Sequence, residues 1–338
     1  MPGLGASAAR HAGLAFGSGT GPGTVGQGKL GKTAPGSTAM AQAFGMVGIG
    51  AMGARMIERA RKAGVDVIVF DTNTDAMAHA LSLGATAASS PRDLADKAET
   101  IFSSLPVPAV SEEVALGTDG LVHGRAIKNY VDLSTTGPIM AKSIAEGLTA
   151  RQIACLDAPV SGGPVGVEAG TLAVMTSGSE AALTAGRAFL ETFARKITYI
   201  GPEVGQAQVV KLANNLLAAT NTVVLSEVTA MAAKAGVGID VLLDVINASS
   251  GRSWVSEIAF PKHVATRKFD QGFRIELMHK DVSLCLNQAD ASGTPMWVGS
   301  AVRQFYQFLM TQGLGKEDIS SIARQLEAWS RDKSRSPV

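Results

Sequence analysis

A lysine and several asparagines interrupt a long apolar stretch of the sequence. Lys211, Asn214, Asn215, Asn221 and Thr222 lie at offsets 0, 3, 4, 10 and 11, so they share one face of a helix. Burying such a face costs stability unless it lines a polar cavity or meets partners. Loss of water also lowers the pKa of an amine towards neutrality, where it can exchange protons. The pattern predicts a cleft in which Lys211 transfers a proton and Asn215 holds the reacting molecule. The alternative is a face that caps neighbouring backbone or contacts another subunit.

A second group of residues has the spacing of a phosphate-binding loop. A G-x-G-x-x-G run follows an apolar segment and precedes a helical pattern: Gly48, Ile49, Gly50, Ala51, Met52 and Gly53. Its glycines allow a tight turn, a close approach to a pyrophosphate, and close packing of helix on strand. Asp71 ends the next apolar run, 18 residues after Gly53, where a carboxylate would hold ribose hydroxyls. We predict a dinucleotide cofactor and favour NAD over NADP, because Asp71 would repel a 2′-phosphate. The alternative is that these glycines serve packing alone.

Turn residues also crowd residues 157–172, which begin where a predicted strand ends. In an open parallel sheet that edge is the usual ligand edge. The consecutive Gly162 and Gly163 would leave backbone N–H groups free to bind an anion, and Ser161 adds a hydroxyl. The segment predicts part of a substrate site, with a tight loop that binds nothing as the alternative.

Composition argues against several other classes of protein. The 30 basic and 29 acidic residues leave a net charge of +1, and no dense basic run suggests nucleic acid or an anionic membrane as partner. No apolar run approaches the roughly 18 residues of a transmembrane helix. The two cysteines, Cys155 and Cys285, are far apart, and the five histidines form no pair. We therefore expect neither a disulfide framework nor a metal site, and a reducing compartment.

The elements that must position these groups alternate between strand and helix up to Gly205. Strands are predicted at 44–49, 65–70, 100–104, 130–133, 152–157, 171–177 and 196–200, and helices at 51–63, 75–83 and 91–97. Such alternation predicts a doubly wound parallel sheet, here an N-terminal Rossmann domain over residues 44–205. Residues 209–234 predict a long interdomain helix, which opens an all-α substrate and oligomerisation domain over 206–338.

Residues 1–43 differ from the rest of the chain. They hold eleven glycines and no acidic residue, a composition that predicts disorder. A transit peptide here is disfavoured, because the glycines would spoil its amphipathic helix. We expect a cytoplasmic protein, with Met40 as an alternative first residue.

Taken together, the sequence resembles the β-hydroxyacid dehydrogenases, the family of 3-hydroxyisobutyrate dehydrogenase and tartronate semialdehyde reductase. The resemblance runs from about Phe44 to Ala328. Its ordered motifs are Gly48–Gly53, Asp132-Leu-Ser-Thr135, Asp157-Ala-Pro-Val-Ser-Gly-Gly-Pro164, Lys211-Leu-Ala-Asn-Asn215 and Phe273 through Asp281.

The resemblance implies reversible hydride transfer between a nicotinamide and a short 3-hydroxy acid or its semialdehyde. It implies that Lys211 is the general acid/base and Asn215 its hydrogen-bonding neighbour. The residues implied for the substrate carboxylate are Ser161, Gly162 and Gly163. Those implied for the nicotinamide side are Leu105, Pro106, Thr135 and Lys280, with Asp281 supporting Lys280.

Two departures from the family pattern remove no group that the mechanism needs. Ala207 replaces a usual glycine, and 56–59 read Met-Ile-Glu-Arg instead of Met-Ala-x-Asn. Near the expected substrate cleft, Arg252 would recognise a second anionic group or pair with a surface acid. Trp254 is predicted to be a core residue, with a ligand contact as the alternative.

Other functions stay open. A reductase of tartronate semialdehyde or another small aldehyde acid would use the same site. Imine reductases of this fold usually replace the catalytic lysine, so Lys211 argues against that activity. A non-catalytic NAD-binding protein would bind cofactor without turnover. The apolar faces of the long helix predict a homodimer or homotetramer.

Overall fold

The computed structural model describes residues 43–330. Its strands are β1 (Phe44–Val47), β2 (Val67–Phe70), β3 (Thr86–Ala87), β4 (Thr100–Ser103), β5 (Asn129–Asp132), β6 (Ala154–Asp157), β7 (Val160–Ser161), β8 (Leu172–Gly178) and β9 (Ala194–Gly201). Helices α1 to α7 are Gly53–Lys62, Thr74–Ser82, Pro91–Ala95, Pro108–Leu116, Pro138–Thr149, Gly163–Ala169 and Glu180–Leu190. Helices α8 to α12 are Gln206–Lys234, Ile239–Asn247, Ile275–Ser292, Trp297–Thr311 and Ser321–Ser330, with a 3-10 turn at Leu121–His123 and a π-helix at Val255–Val264. The predicted disorder of residues 1–43 falls almost wholly outside the described residues.

The strands form one sheet in the order β3-β2-β1-β4-β5-β6-β8-β7, with β9 paired to β8. Strands β1 to β6 are parallel, as the alternation of strands and helices predicts. The expectation of a wholly parallel sheet is wrong at one edge, because β8 runs antiparallel to β6 and to β7. The chain passes from β6 to β8 through the short strand β7 and helix α6.

Apolar side chains cover both faces of the sheet. One cluster centres on Met46, Phe102 and Phe189, and the other on Leu94 and Ile101. All five side chains are fully buried. Because the sheet is rigidly packed on both faces, the ends of its strands present loops in fixed positions.

The region after Gly205 is helical, which confirms the predicted α/β order followed by an all-helical region. Helix α8 packs against α10, α11 and α12 around a core that includes Leu216, Val282 and Tyr306. By length and composition α8 could cross a membrane, yet half of its most apolar window is buried inside the molecule. Core helices of globular proteins meet the same criterion.

One predicted core residue is not buried. The side chain of Trp254, just before the π-helix, is 55% exposed. The segment in front of it is a turn, so its indole lies outside the helical core and the prediction is wrong.

Candidate active site

The loop between β1 and α1 has the shape that the glycine motif predicts. Gly48 adopts φ of +89°, and a Cβ there would collide with the backbone of Ser104. A Cβ on Gly53 would collide with the carbonyl of Gly48, so close packing requires glycine at both positions. A Cβ on Gly50 would meet open space, which leaves the backbone accessible at the start of α1. This cradle suits the pyrophosphate of a dinucleotide.

Asp71 lies beside that loop. Its Oδ2 accepts a hydrogen bond from the backbone N–H of Ile49 at 2.6 Å, and its Oδ1 accepts one from Asn73 at 2.8 Å. These bonds hold the carboxylate against the loop between β1 and α1.

The residues expected around the nicotinamide follow β4 and β5. The backbone N–H of Leu105 donates to Ser134 Oγ at 2.9 Å, which joins the two loops. Lys280 of α10 donates through Nζ to the carbonyl oxygen of Thr135 at 2.8 Å. The structure thus brings Leu105, Thr135 and Lys280 together across the boundary between sheet and helices.

The first turn of α8 is attached to the sheet by buried polar groups. Asp157 accepts hydrogen bonds from Ser177 Oγ at 2.5 Å and from the N–H of Gln208 at 3.1 Å. Ser177 Oγ accepts the N–H of Ala207 at 2.8 Å. These contacts satisfy N–H groups that a helix start leaves unpaired, and the carboxylate suits the positive end of the helix dipole.

Gln208 extends that attachment to the loop after β5, which is expected to border the nicotinamide. Its Oε1 accepts the N–H groups of Thr136 and Gly137, each at 3.1 Å, and its Nε2 donates to the carbonyl of Ser134. Our sequence reasoning missed this residue. The sequence could have indicated this residue, because Gln208 lies three residues before Lys211 and extends the polar face of the helix by one turn.

Lys211 lies one turn further along α8. It is 8% exposed, and its Nζ has no hydrogen bond or ion pair with any residue in the range 43–330. Burial lowers its pKa from 10.5 to about 8, while the charge of Asp281 opposes that shift and Lys280 adds to it. A buried amine of this kind can bind and release a proton near neutral pH.

Asn215 follows one turn after Lys211 and is also buried. Its Nδ2 donates to Asp281 Oδ2 at 2.6 Å, and its Oδ1 accepts from Asn214 at 3.1 Å. Asn215 and Asp281 are thereby held beside the lysine. The predicted polar face holds for Lys211, Asn215 and Thr222, but Asn214 is exposed.

The segment that the sequence predicts to bind an anion forms a turn between β7 and α6. Gly162 and Gly163 have φ of +130° and +62°, so glycine suits both positions. Within the described residues no hydrogen bond or ion pair joins Ser161, Gly162 or Gly163 to α8. The structure therefore does not link this turn to Lys211 by a polar contact.

The departures from the family pattern have structural consequences. Arg59 donates to the carbonyls of Glu168 and Thr192, which ties α1 to the region of α6. Ala207 is fully buried without disturbing the first turn of α8. Arg252 is exposed and forms no ion pair among residues 43–330. Phe273 packs in the helical core, apart from any polar role.

Comparisons with known proteins agree on one family. Residues 43–201 match the model described as the NAD binding domain of 6-phosphogluconate dehydrogenase. Residues 205–326 match the model described as NAD-binding of NADP-dependent 3-hydroxyisobutyrate dehydrogenase. Together the two matches cover both the sheet region and the helical region.

Individual relatives cover nearly the whole described region. A probable mitochondrial 3-hydroxyisobutyrate dehydrogenase of Dictyostelium discoideum is 34% identical over 85% of this chain and 91% of its own length. An NAD-dependent L-serine dehydrogenase of Pseudomonas aeruginosa is 36% identical over 82% and 95%, respectively. The structure of the Mycobacterium tuberculosis 3-hydroxyisobutyrate dehydrogenase with L-serine has 29% identity and a TM-score of 0.78 over 85% of this chain and 99% of that one.

Proposed function

Because this chain belongs to the β-hydroxyacid dehydrogenase family, we propose that it oxidises a short 3-hydroxy acid, or reduces its semialdehyde, with Lys211 as the proton-transferring group. The chain is an NAD(P)-dependent hydroxyacid oxidoreductase. The observation that carries the role of Lys211 is its burial without a hydrogen-bonding partner beside the Asn215–Asp281 pair. An unpaired buried amine destabilises the fold, so a site that retains one calls for a chemical reason.

In the oxidation direction the neutral amine of Lys211 accepts the hydroxyl proton of the substrate, and in reduction the ammonium returns it. Asn215 holds the substrate oxygen in line with Nζ. When bound, NAD or NADP supplies the hydride acceptor or donor. Leu105, Pro106 and Thr135 would border its nicotinamide, and Lys280 would hold the Thr135 loop from α10.

The substrate carboxylate would bind at the turn of Ser161, Gly162 and Gly163. The positive φ angles there support a nest of backbone N–H groups, and the hydroxyl of Ser161 adds a donor. The similarity to 3-hydroxyisobutyrate and L-serine dehydrogenases supports a short acid with a hydroxyl on the third carbon. Tartronate semialdehyde or another small aldehyde acid is the second candidate class.

NAD is the proposed cofactor, with NADP as the alternative. The support is the fixed carboxylate of Asp71, held by Ile49 and Asn73 next to the phosphate loop. We expect Asp71→Ser to lower the preference for NAD over NADP by about tenfold or more, since roughly 1.4 kcal/mol of lost discrimination gives that factor. Steady-state assays with each cofactor test this. An unchanged preference would contradict the role of Asp71.

The proposed activity is tested by following reduced nicotinamide formed from NAD or NADP. The substrates are 3-hydroxyisobutyrate, glycerate, 3-hydroxypropionate, threonate, 4-hydroxybutyrate and L-serine, with Lys211→Ala as the matched control. We expect turnover on at least one of them, abolished in the control while NAD binding measured by calorimetry persists. NAD binding without turnover on any substrate would favour the non-catalytic alternative, and reduction of a cyclic imine would favour an imine reductase.

A homodimer or homotetramer is also part of the proposal. Helix α8 exposes Val210, Leu217, Val224 and Met231, which recur every seven residues along one stripe. Such a stripe on a 29-residue helix supports contact with a second copy. Leu217→Glu is expected to lower the mass in size-exclusion chromatography with light scattering. A wild-type monomer at micromolar concentration would contradict the proposal.

The proposal also includes the domain boundaries and the cellular compartment of the protein. We place the dinucleotide domain at 44–205 and the helical domain at 206–338, because the last strand ends at Gly201 and α8 begins at Gln206. The two free cysteines support a reducing compartment such as the cytoplasm.

A further inference from the structure

Two buried aspartates lie side by side behind the proposed site. Asp132 and Asp157 are paired in the register of the parallel strands β5 and β6. They are 4% and 1% exposed, respectively. In the part of the chain that the structure describes, neither carboxyl forms an ion pair, and Lys280 acts on Asp132 only through space. Two buried carboxylates at neighbouring positions repel each other, which opposes ionisation of both.

The two carboxyls differ in how many of their oxygens accept hydrogen bonds. Both oxygens of Asp157 accept hydrogen bonds, from Ser177 and from the N–H of Gln208, so this carboxyl acts as an acceptor throughout. Asp132 Oδ1 also accepts two, from Ser103 Oγ at 2.8 Å and from the N–H of Ser134 at 2.9 Å. Asp132 Oδ2, however, is buried without a partner among residues 43–330. An ionised oxygen in that position would lack any compensation, whereas a protonated one is a donor.

A small cavity is lined by both aspartates and by residues of α5. Its volume is about 10 Å³, and its lining includes Tyr130, Asp132, Cys155 and Asp157. The α5 residues that face it are apolar: Ala141, Ile144 and Ala145. A cavity with two or more polar partners and roughly 10–15 Å³ holds one water molecule.

We propose that Asp132 and Asp157 form a proton-holding acid pair, in which Asp132 Oδ2 keeps a proton at neutral pH and donates it through one buried water to the ionised Asp157. This proton gives a hydrogen-bonding partner to Asp132 Oδ2, which has none among residues 43–330. The pair also links Ser134, in the nicotinamide loop, to the first turn of α8. This proposal goes beyond the proposed reaction, because that reaction gives no role to Asp132 or Asp157.

The titration behaviour of the neighbourhood supports this assignment. Burial raises the pKa of Asp132, and its hydrogen bonds to Ser134 and Ser103 oppose that shift. Burial raises the pKa of Asp157 to about 6, and the hydrogen bonds from Ser177 and from the backbone N–H groups at the start of α8 oppose that rise. Burial also raises the pKa of Tyr130, and that of Cys155 to about 12, so both stay neutral. The geometry assigns the proton to Asp132, because its Oδ2 is buried without a partner among residues 43–330, whereas both oxygens of Asp157 accept hydrogen bonds.

Infrared spectroscopy at pH 7 tests the proton directly. We expect the wild type and Asp157→Asn to show the C=O stretching band of a buried protonated carboxyl, and Asp132→Asn to lack it. Asparagine has the shape of a protonated aspartate and can donate from the same position. Absence of the band from the wild type, or its persistence in Asp132→Asn, would overturn the proposal. A failure of Asp132→Asn to fold would also overturn it, because its amide should replace the protonated acid.

The pH dependence of unfolding provides a second readout. Aspartate in the unfolded chain has a pKa of about 3.9, so a folded state that keeps the proton of Asp132 takes up one proton above that pH. Between pH 5 and 7 the folding equilibrium constant of the wild type should fall about tenfold per pH unit relative to that of Asp132→Asn. Parallel stability curves for the two proteins would contradict a retained proton.

Discussion

The first two turns of α8 each carry a buried polar side chain, Gln208 and Lys211, and these two side chains differ in their hydrogen bonding. In the first turn, the N–H of Gln208 donates to Asp157 of β6, which also accepts from Ser177 Oγ, and the side chain of Gln208 makes three further hydrogen bonds. In the next turn, Lys211 Nζ has no hydrogen bond or ion pair within residues 43–330. The hydrogen bonds of Asp157 and Gln208 attach α8 to the sheet. The amine of Lys211 makes no such attachment, which leaves it able to take part in the proposed proton transfer.

This difference separates residues whose loss affects the fold from residues whose loss affects the reaction. A satisfied buried network stabilises and orients the elements that it joins. A buried amine without a partner destabilises the fold and gains reactivity through its lowered pKa. Loss of Lys211 should therefore lower turnover and raise stability, whereas loss of the hydrogen bonds to Asp157 should lower stability.

The largest expected effect is on turnover in Lys211→Met. Removal of the proposed proton-transferring group should lower kcat by a factor of about 10²–10⁴. The pKa of Lys211 is lower in the folded state than in the unfolded state, so protonation favours unfolding. The penalty is absent above pH 10.5, grows as pH falls, and is complete below about pH 8. Methionine should therefore raise the free energy of unfolding at pH 7, by up to about 3 kcal/mol. Steady-state assays and urea denaturation at pH 7 and pH 10 measure both effects.

If Lys211→Met is inactive but much less stable than the wild type, the comparison is contradicted, because the lysine would then stabilise the fold. NAD binding by calorimetry is the control, because no hydrogen bond joins Lys211 to the phosphate loop in the described region. It should be unchanged within about twofold.

The second effect is on stability in Asp157→Ala. The alanine leaves the N–H of Gln208 and the hydroxyl of Ser177 without their acceptor, so the free energy of unfolding should fall by about 2–3 kcal/mol. Asp157→Asn keeps one acceptor and serves as the matched control, with a smaller loss. Chemical denaturation at pH 7 compares the three proteins. Equal stability of Asp157→Ala and the wild type would show that the first turn of α8 does not depend on this contact.

The sequence predicted the local parts of the site better than the contacts between them. Gly48 and Gly53 are recognisable because each excludes a Cβ for reasons internal to one loop. The long apolar helix likewise indicated that Lys211 is buried. The roles assigned to Lys211 and Asn215 stay predictions.

What the sequence could not provide depends on tertiary contact. The bond from Gln208 to Asp157 joins residues 51 positions apart, and neither residue has a pattern that names its partner. Local alternation could not show that β8 runs antiparallel to β6, because direction depends on how the intervening turn folds. Trp254 was misplaced for a related reason, since an aromatic near a helix start does not reveal whether other elements cover it.

A smaller effect should follow from Asp281→Asn, which keeps an acceptor for Asn215 Nδ2 but removes a charge near Lys211. The carboxylate of Asp281 favours the protonated amine, so its loss should lower the pKa of Lys211 further. The pH profile of oxidation should move to lower pH, while the maximal rate changes less than in Lys211→Met. A profile that moves to higher pH would contradict the assigned electrostatics. Glu276→Gln, on the same helix and paired with Arg274, is a control that should leave the profile in place.

The most direct test of Lys211 as the general acid/base is the pH dependence of kcat/KM in both directions on one substrate pair. Oxidation needs the neutral amine, so its rate should rise to a plateau above a pKa of about 8. Reduction needs the ammonium, so its rate should be constant below that pKa and fall above it. Opposite profiles that cross near the same pKa, and that vanish with Lys211→Met, are the expected result. Profiles that are flat between pH 6 and 10, or that persist unchanged in Lys211→Met, would contradict the account.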